Sequence, residues 1–261
     1  MGGVEPEPTP VVPDGETVTP TDNVATWVEC AGITKPYTNL TQILEDVVTL
    51  SALVSDENAV DYMVRSTTWA DDVCSNQNAM SYIGLNSYCA NTLLDDETWC
   101  TDICESEYFE SVLNVKVPTM TSNTAPYGEV IFDSEMGSRF ARYVFDGNSS
   151  TRWSSNNGNG TLTHWVGYDF QKILKINKVK LFATYDGQNY PFIIKLQGFN
   201  GTDWEDIITL ESISTAAGTI DKSYDVLGEY LRFRVQISGY QQYTTGGVNI
   251  YTLQFYGRED V

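Results

Sequence analysis

Histidine is almost absent from this chain, with one residue, His164, in 261, and Lys and Arg together number 15 against 35 Asp and Glu. The shortage of cations is greatest at the front. Residues 1–116 hold 3 Lys and Arg against 20 Asp and Glu, a net of −17, whereas the remainder holds 12 against 15, a net of −3. Neither half concentrates the cations that phosphate binding requires, so neither nucleic acid nor an anionic lipid surface is an expected partner. Long apolar runs are missing too. No stretch reaches about 18 apolar residues, so no membrane insertion is expected, and the first residues lack the basic-then-apolar order of a signal peptide. Cysteine is absent beyond Cys104. The five that precede it, Cys30, Cys74, Cys89, Cys100 and Cys104, are odd in number and fall mostly at apolar helix positions, which reads as reduced core thiols and not a disulfide framework. Cys100 and Cys104 stand four apart on one predicted helix, but no second Cys or His pair sits at ligand spacing, so zinc is not expected.

What is present divides the chain into three. Residues 1–26 hold most of the nine prolines, with acids and threonines between them. Proline at that density favours extended geometry and removes backbone donors, so this segment reads as a disordered linker. Residues 27–116 read as a small all-α domain of short helices built on a 20-residue repeat. Capping residues are expected at Ser55, Ser66, Ser75, Asn86, Asp95 and Ser106, with steps alternating between 11 and 9 residues. Leu40, Val60, Met80 and Cys100 form one matched apolar column, and Ile43, Met63, Ile83 and Ile103 another. Steps of three and four residues put such columns on one stripe of each helix. Helices of two or three turns are not stable alone, so each stripe must be buried against its neighbours. A spacer or assembly role is preferred to binding along the array's face, because the repeats carry no cluster of exposed aromatic or catalytic residues. Residues 58–123 also loosely resemble repeat regions of bacteriophage tail and appendage proteins, on repeat texture alone.

Beyond Pro118 and Pro126 the period changes from helical to alternating. Val179 and Leu181 alternate with Lys178 and Lys180. Phe192, Ile194 and Leu196 alternate with Ile193, Lys195 and Gln197. Leu231, Phe233, Val235 and Ile237 alternate with Arg232, Arg234 and Gln236. One face of each strand therefore belongs to a core and the other to water. Turns are marked by Asp186-Gly187, Asn200-Gly201 and Gly246-Gly247. Many short strands with turn signals and no helical pattern mean a β-sandwich or jelly roll at 117–261.

Five blocks there, FDGNSSTRWSS (145–155), HWVGYDFQKILKINKVKLF (164–182), FIIKLQGFNGTDWEDI (192–207), YLRFRVQIS (230–238) and VNIYTLQFYG (248–257), occur in the order and spacing of a discoidin-like domain. Residues 118–258 resemble that family, the coagulation-factor C-type fold, in the branch formed by bacterial carbohydrate-binding modules. The resemblance implies an eight-stranded β-sandwich that binds a ligand, often a sugar, through loops at one end. It places Trp153 and Trp165 in the core. It also implies a structural calcium ion, with a carboxylate from Asp146 and backbone oxygens from Asn148 and Thr151, although Thr252 stands where the family has a glutamate and one charged ligand is missing. Ligand contacts are implied for Arg139, Phe140, Tyr185, Asn189, Tyr190, Tyr240 and Tyr243. A sugar needs an aromatic face for its C–H patch and planar donors for its hydroxyls, and those residues supply both.

Catalysis has little support. His164 opens a strand with no evident nucleophile partner, and Asp203, Glu205 and Asp206 follow a hairpin turn as solvated groups. The expected function is a non-enzymatic adhesion protein, a phage virion appendage displaying a glycan-binding module toward a host or environmental surface. Its expected partners are a cell-surface or extracellular glycan, other virion or surface proteins, and further copies of itself, and its expected location is the virion or the cell exterior. Two alternatives stand beside this: the accessory module of a larger carbohydrate-active enzyme, and a structural decoration domain of a particle.

Overall fold

A computed structural model describes residues 23–156, 163–185, 193–212, 218–238 and 248–259. The expected linker therefore lies outside the described residues, except for its last few positions. Among the described residues eight short α-helices come first: α1 (Val24–Cys30), α2 (Leu40–Glu45), α3 (Val47–Ser55), α4 (Glu57–Val64), α5 (Ala70–Cys74), α6 (Gln77–Leu85), α7 (Ser87–Asp95) and α8 (Glu97–Glu105). None is long and apolar enough to cross a membrane. A 3₁₀ turn, Phe109–Ser111, closes the helical part.

The caps correct the sequence reading by one residue at three places. Asp56, Asn76 and Asp96 cap α4, α6 and α8, not Ser55, Ser75 and Asp95. With Asp46 on α3 and Asn86 on α7, the caps fall on one even ten-residue spacing and the alternation of 11 and 9 disappears. An N-cap needs extended backbone and an oxygen aimed at the N–H three residues on. Asp56 has both, at φ −103° and ψ 120° with Ala59 N–H at 3.0 Å. Ser55 still belongs to the helix before it and donates its hydroxyl to the Ser51 carbonyl. Ser66 precedes a 3₁₀ turn and accepts no capping hydrogen bond. Ser106 is the C-cap of α8, and its hydroxyl accepts the Tyr108 N–H at 3.0 Å without capping the 3₁₀ turn that follows.

Helices touch their chain neighbours and also their third neighbours: α1 with α4, α3 with α6, α4 with α7, and α5 with α8. The contacts therefore describe a coil with about three helices per turn. Indole donors tie successive turns together, Trp27 Nε1 to the Ala59 carbonyl at 3.0 Å and Trp99 Nε1 to the Val64 carbonyl at 3.1 Å. Both rings are fully buried in one continuous core that runs from Val24 to Leu113.

Among the described residues nine strands follow: β1 (Val115–Lys116), β2 (Glu129–Phe132), β3 (Trp153–Ser154), β4 (Thr163–Tyr185), β5 (Ile193–Phe199), β6 (Trp204–Ser212), β7 (Gly218–Ser238), β8 (Asn249–Ile250) and β9 (Thr252–Arg258). Seven form an antiparallel sheet in the order β1-β9-β4-β7-β5-β6 with β2 also on β4, and β3 pairs with β8 separately. The long strands β4 and β7 each serve both layers of a sandwich. One half of β4, 166–169, pairs with β2; the other, 175–182, pairs with β9 along the same edge. Between them the ladder with β7 breaks from Asp169 to Leu174, where Gln171 takes φ 59°. Such a break bends the strand and lets its two halves face one core. That core gathers Val179, Leu181, Ile194, Leu196, Phe233, Val235 and Ile237, the inward series expected from alternation, together with Val166 and Tyr168, whereas Leu231 is only half-buried.

Two outward positions differ from expectation because the helices cover them. Lys178 is 5 % exposed, donates to the Cys104 carbonyl and lies 4.3 Å above the Phe109 ring. Lys180 sits 4.6 Å above the same ring and 5.3 Å above Tyr256. Arg258, at the end of β9, reaches the other way. Its guanidinium donates to the carbonyls of Val112 at 2.9 Å and Gly84 at 3.1 Å. The two parts thus share a buried, hydrogen-bonded contact.

Candidate functional site

The end of the sandwich reached by the loop after β2, 133–140, is held by hydrogen bonds to β3 and β4. Asp133 anchors it: one carboxylate oxygen accepts the Trp165 N–H at 3.0 Å and the other meets His164 Nδ1. Burial alone would push the Asp133 carboxyl up, but the bonds from His164 and the Trp165 amide outweigh it and hold the group below its ordinary value. Next to it the Ser134 carbonyl accepts Trp153 Nε1 at 2.8 Å, and its hydroxyl accepts the Asn156 N–H at 3.0 Å. Trp153 is fully buried, as expected.

From this anchor the loop runs across β3. Met136 N–H donates to the Ser154 carbonyl at 2.9 Å, Ser154 N–H returns to the Arg139 carbonyl at 3.3 Å, and the Arg139 guanidinium reaches the Ser154 hydroxyl at 3.4 Å. Ser154, in turn, donates to the Asn249 amide oxygen on β8, and both residues are buried. Glu135 accepts the Ala141 N–H at 2.8 Å and so tops the 3₁₀ helix Ala141–Phe145. On that turn the Arg142 guanidinium lies 4.4 Å above the Phe140 ring and 4.9 Å above Tyr143, whose rings are 5.5 Å apart. A second cation and aromatic pair stands nearby in sequence to β3 and β8: Arg152 donates to the Tyr251 hydroxyl at 2.7 Å, and Tyr251 packs 5.6 Å from Phe182.

Of the predicted ligand residues, Arg139 and Phe140 are brought together on this loop. Tyr185 ends β4, where only its backbone is described. Asn189, Tyr190, Tyr240 and Tyr243 lie outside the described residues. Sequence reasoning passed over Arg142, Tyr143, Arg152, Tyr251, Ser154 and Asn249. The available signal was cations one or two residues from aromatics in 139–143, while the Arg152–Tyr251 pair is visible only across the β3–β8 ladder.

Trp165 is a correction. Alternation gives the inward places on β4 to Val166 and Tyr168, so Trp165 points away from the core and is half-buried on the outer sheet face. His164 is buried beside both a carboxylate and a hydroxyl, yet Asp133 and Ser134 address the same ring nitrogen, Nδ1. A serine–histidine–aspartate relay needs them on opposite nitrogens. The trio is an anchor.

The Asp146 turn satisfies its own carboxylate with local donors. Its Oδ1 accepts Asn148 N–H at 2.8 Å, its Oδ2 accepts the Thr151 hydroxyl at 2.7 Å, and the Asn148 carbonyl accepts that same hydroxyl at 2.8 Å. Calcium takes six to eight oxygens and favours several charged ones. Here there is one carboxylate, committed on both oxygens, with Thr252 supplying no charge. This set does not fit calcium, and no cluster of three or more His, Cys, Asp or Glu able to hold a metal occurs among the described residues.

Residues 119–247 match the F5/8 type C domain. The matched residues include the bend, the anchored loop and the outer face of β4, β7, β5 and β6. No curated protein matches the chain. Among solved structures, a chitosan-binding module of a Paenibacillus sp. IK-5 chitosanase/glucanase is 23% identical, with 52% of this chain and 98% of that one covered and a TM-score of 0.40. A family 32 carbohydrate-binding module of Clostridium perfringens NanJ, solved with galactose, is 16% identical, with 54% and 99% covered and a TM-score of 0.40. A second Paenibacillus module, solved with chitotriose, is 20% identical, with 50% and 96% covered and a TM-score of 0.38.

Proposed function

We propose that the F5/8 type C domain binds a glycan at the loop carrying Arg139 and Phe140, and that the chain works by binding and not by catalysis. The observation that carries this reading is the Arg139–Ser154–Asn249 chain beside the Phe140–Arg142–Tyr143 stack. A guanidinium held by a buried hydroxyl, next to aromatic faces, is a pre-organised partner for a ring with hydroxyls on its edge and C–H bonds on its face. Loops on a rigid sheet are where such residues are commonly displayed. A single site of this kind binds weakly, so self-association of the chain and display on a particle or cell exterior would raise its effective strength.

A glycan array probed with the full chain and with Arg139→Ala tests the reading. Binding to a defined set of sugars, reduced by about tenfold or more in the variant, supports it, because hydrogen bonds to a charged group are worth about 1.5–3 kcal/mol. Equal binding by both proteins, or no binding by either, overturns it. The appendage setting is a separate part of the proposal, tested by antibody detection of the chain in purified particles.

A further inference from the structure

The outer face of the sheet half made by β4, β7, β5 and β6 stands apart from the loop end and carries an ordered array of its own. Strand register places Gly167, Arg234, Gln197 and Asp206 in one row across four strands, and Asp169, Arg232, Phe199 and Trp204 in the next. Trp165 lies on the same face, two residues along β4 from Gly167. At Gly167 a Cβ would come within 2.6 Å of Arg234 Cα, so this close approach of β4 to β7 requires glycine.

Arg234 is the centre of the array. Its guanidinium is 4.0 Å from the Trp204 ring centroid and 4.9 Å from that of Trp165, and the two indoles are 6.4 Å apart. Phe199 extends the line, 5.4 Å from Trp204. Arg234 Nε donates to Gln197 Oε1 at 2.8 Å, and Gln197 Nε2 donates to Asp206 Oδ1 at 2.6 Å. The other Asp206 oxygen pairs with Lys195. Gln197 is 6 % exposed although it sits on the outward side, and both ends of its amide are committed. The geometry is therefore held before any ligand arrives.

Two features separate this face from an ordinary solvated sheet surface. Outward positions of an antiparallel sheet are normally polar, whereas Trp165, Trp204 and Phe199 remain half-buried side by side. The charges also largely compensate one another, three cations against two carboxylates. Arg232 pairs with Asp169 at 2.6 Å and Lys195 with Asp206, and Arg234 is held by a neutral amide. A polyanion would be met by uncompensated cations. A nearly neutral patch of aromatic rings with a fixed amide, guanidinium and carboxylate between them instead suits an uncharged chain of polyhydroxylated rings, with C–H faces on the aromatics and hydroxyls on the polar row.

We propose that this sheet face is a second glycan-binding surface, separate from the loop end, and that it takes a neutral oligosaccharide or polysaccharide. It does not depend on the loop end binding anything.

Affinity electrophoresis of the full chain through gels containing a panel of neutral polysaccharides tests it, with Trp204→Ala, Gln197→Leu and Arg139→Ala run in parallel. Circular dichroism and thermal melts of each variant confirm the fold, and Trp204→Phe serves as a ring-retaining control. The expected result is retardation of the wild type by at least one polysaccharide, weakened about tenfold by Trp204→Ala, weakened by Gln197→Leu, and kept by Trp204→Phe and Arg139→Ala. Retardation lost in Arg139→Ala but unchanged in folded Trp204→Ala and Gln197→Leu overturns the sheet-face site and leaves the loop site standing. No retardation of the wild type by any neutral polysaccharide also overturns it, and the Arg–Trp stack is then a stabilising feature of the sheet alone.

Discussion

Gly84→Ala should destabilise the protein, although helix propensity argues the reverse. Gly84 lies inside α6, one residue from its end, where alanine in place of glycine ordinarily adds about 1 kcal/mol of stability. A Cβ placed there, however, would stand 1.8 Å from the Ser111 carbonyl oxygen and 2.7 Å from its carbon. Both atoms are backbone, so no rotamer change relieves the overlap. The 109–113 segment would have to withdraw from α6, yet Arg258 holds the Gly84 and Val112 carbonyls with a single nitrogen. Moving one stretches a charge-assisted bond to the other. Overpacking typically costs about 1–3 kcal/mol and loss of a charged hydrogen bond about 1.5–3 kcal/mol. Set against the propensity gain, a net loss of about 2 kcal/mol is expected. Urea unfolding followed by far-UV circular dichroism measures it as a lower midpoint at unchanged slope. The exposed neighbour Leu85, 83 % accessible, is the control, and Leu85→Ala should change stability by less than about 0.5 kcal/mol. A Gly84→Ala protein as stable as the wild type, or more so, would refute the close approach of α6 to the 3₁₀ turn and the contact that Arg258 makes through it.

The remaining expectations are narrower. Because the Asp133 carboxyl is held below its ordinary value in the folded state, the unfolded chain binds the extra proton first; the pair's contribution is therefore present above about pH 4 and is lost as pH falls through the folded value. Asp133→Asn should flatten this acid limb of a melting-temperature profile, and an unchanged slope would contradict the anchor. Lys178→Ala should cost about 1–3 kcal/mol in the same urea assay, since it leaves the Cys104 carbonyl buried without its donor; no change would mean that the lysine is solvated. Burial pushes the Cys89 thiol up to about 12 and raises Cys74 as well, so a thiol reagent at pH 8 should label Cys30, the one cysteine that is not buried, well before the others in native protein. Uniformly fast labelling of all five would show that the helical core opens readily.

The residues chose their own secondary structure and most of their inward places. Three- and four-residue apolar steps made the early half helical, and strict alternation sent Ile194, Leu196, Phe233, Val235 and Ile237 into one core, because those periods are properties of the local chain. Cap positions were legible only to within a residue. Ser55-Asp56, Ser75-Asn76 and Asp95-Asp96 are each two capping residues in succession, and the choice between them rests on which one has left the preceding helix. The candidate site was legible in part for a similar reason: Arg139 and Phe140 lie on one loop, whereas Arg152 meets Tyr251, and Trp165 meets Arg234 and Trp204, across ladders that join distant stretches of chain.

Alternation says which side of a strand a residue occupies and nothing about what lies on that side. Lys178 and Trp165 both point outward, and one is buried under a helix while the other joins an aromatic row, because neighbours supplied by remote segments decide whether an outward position meets water, a carbonyl or a ring.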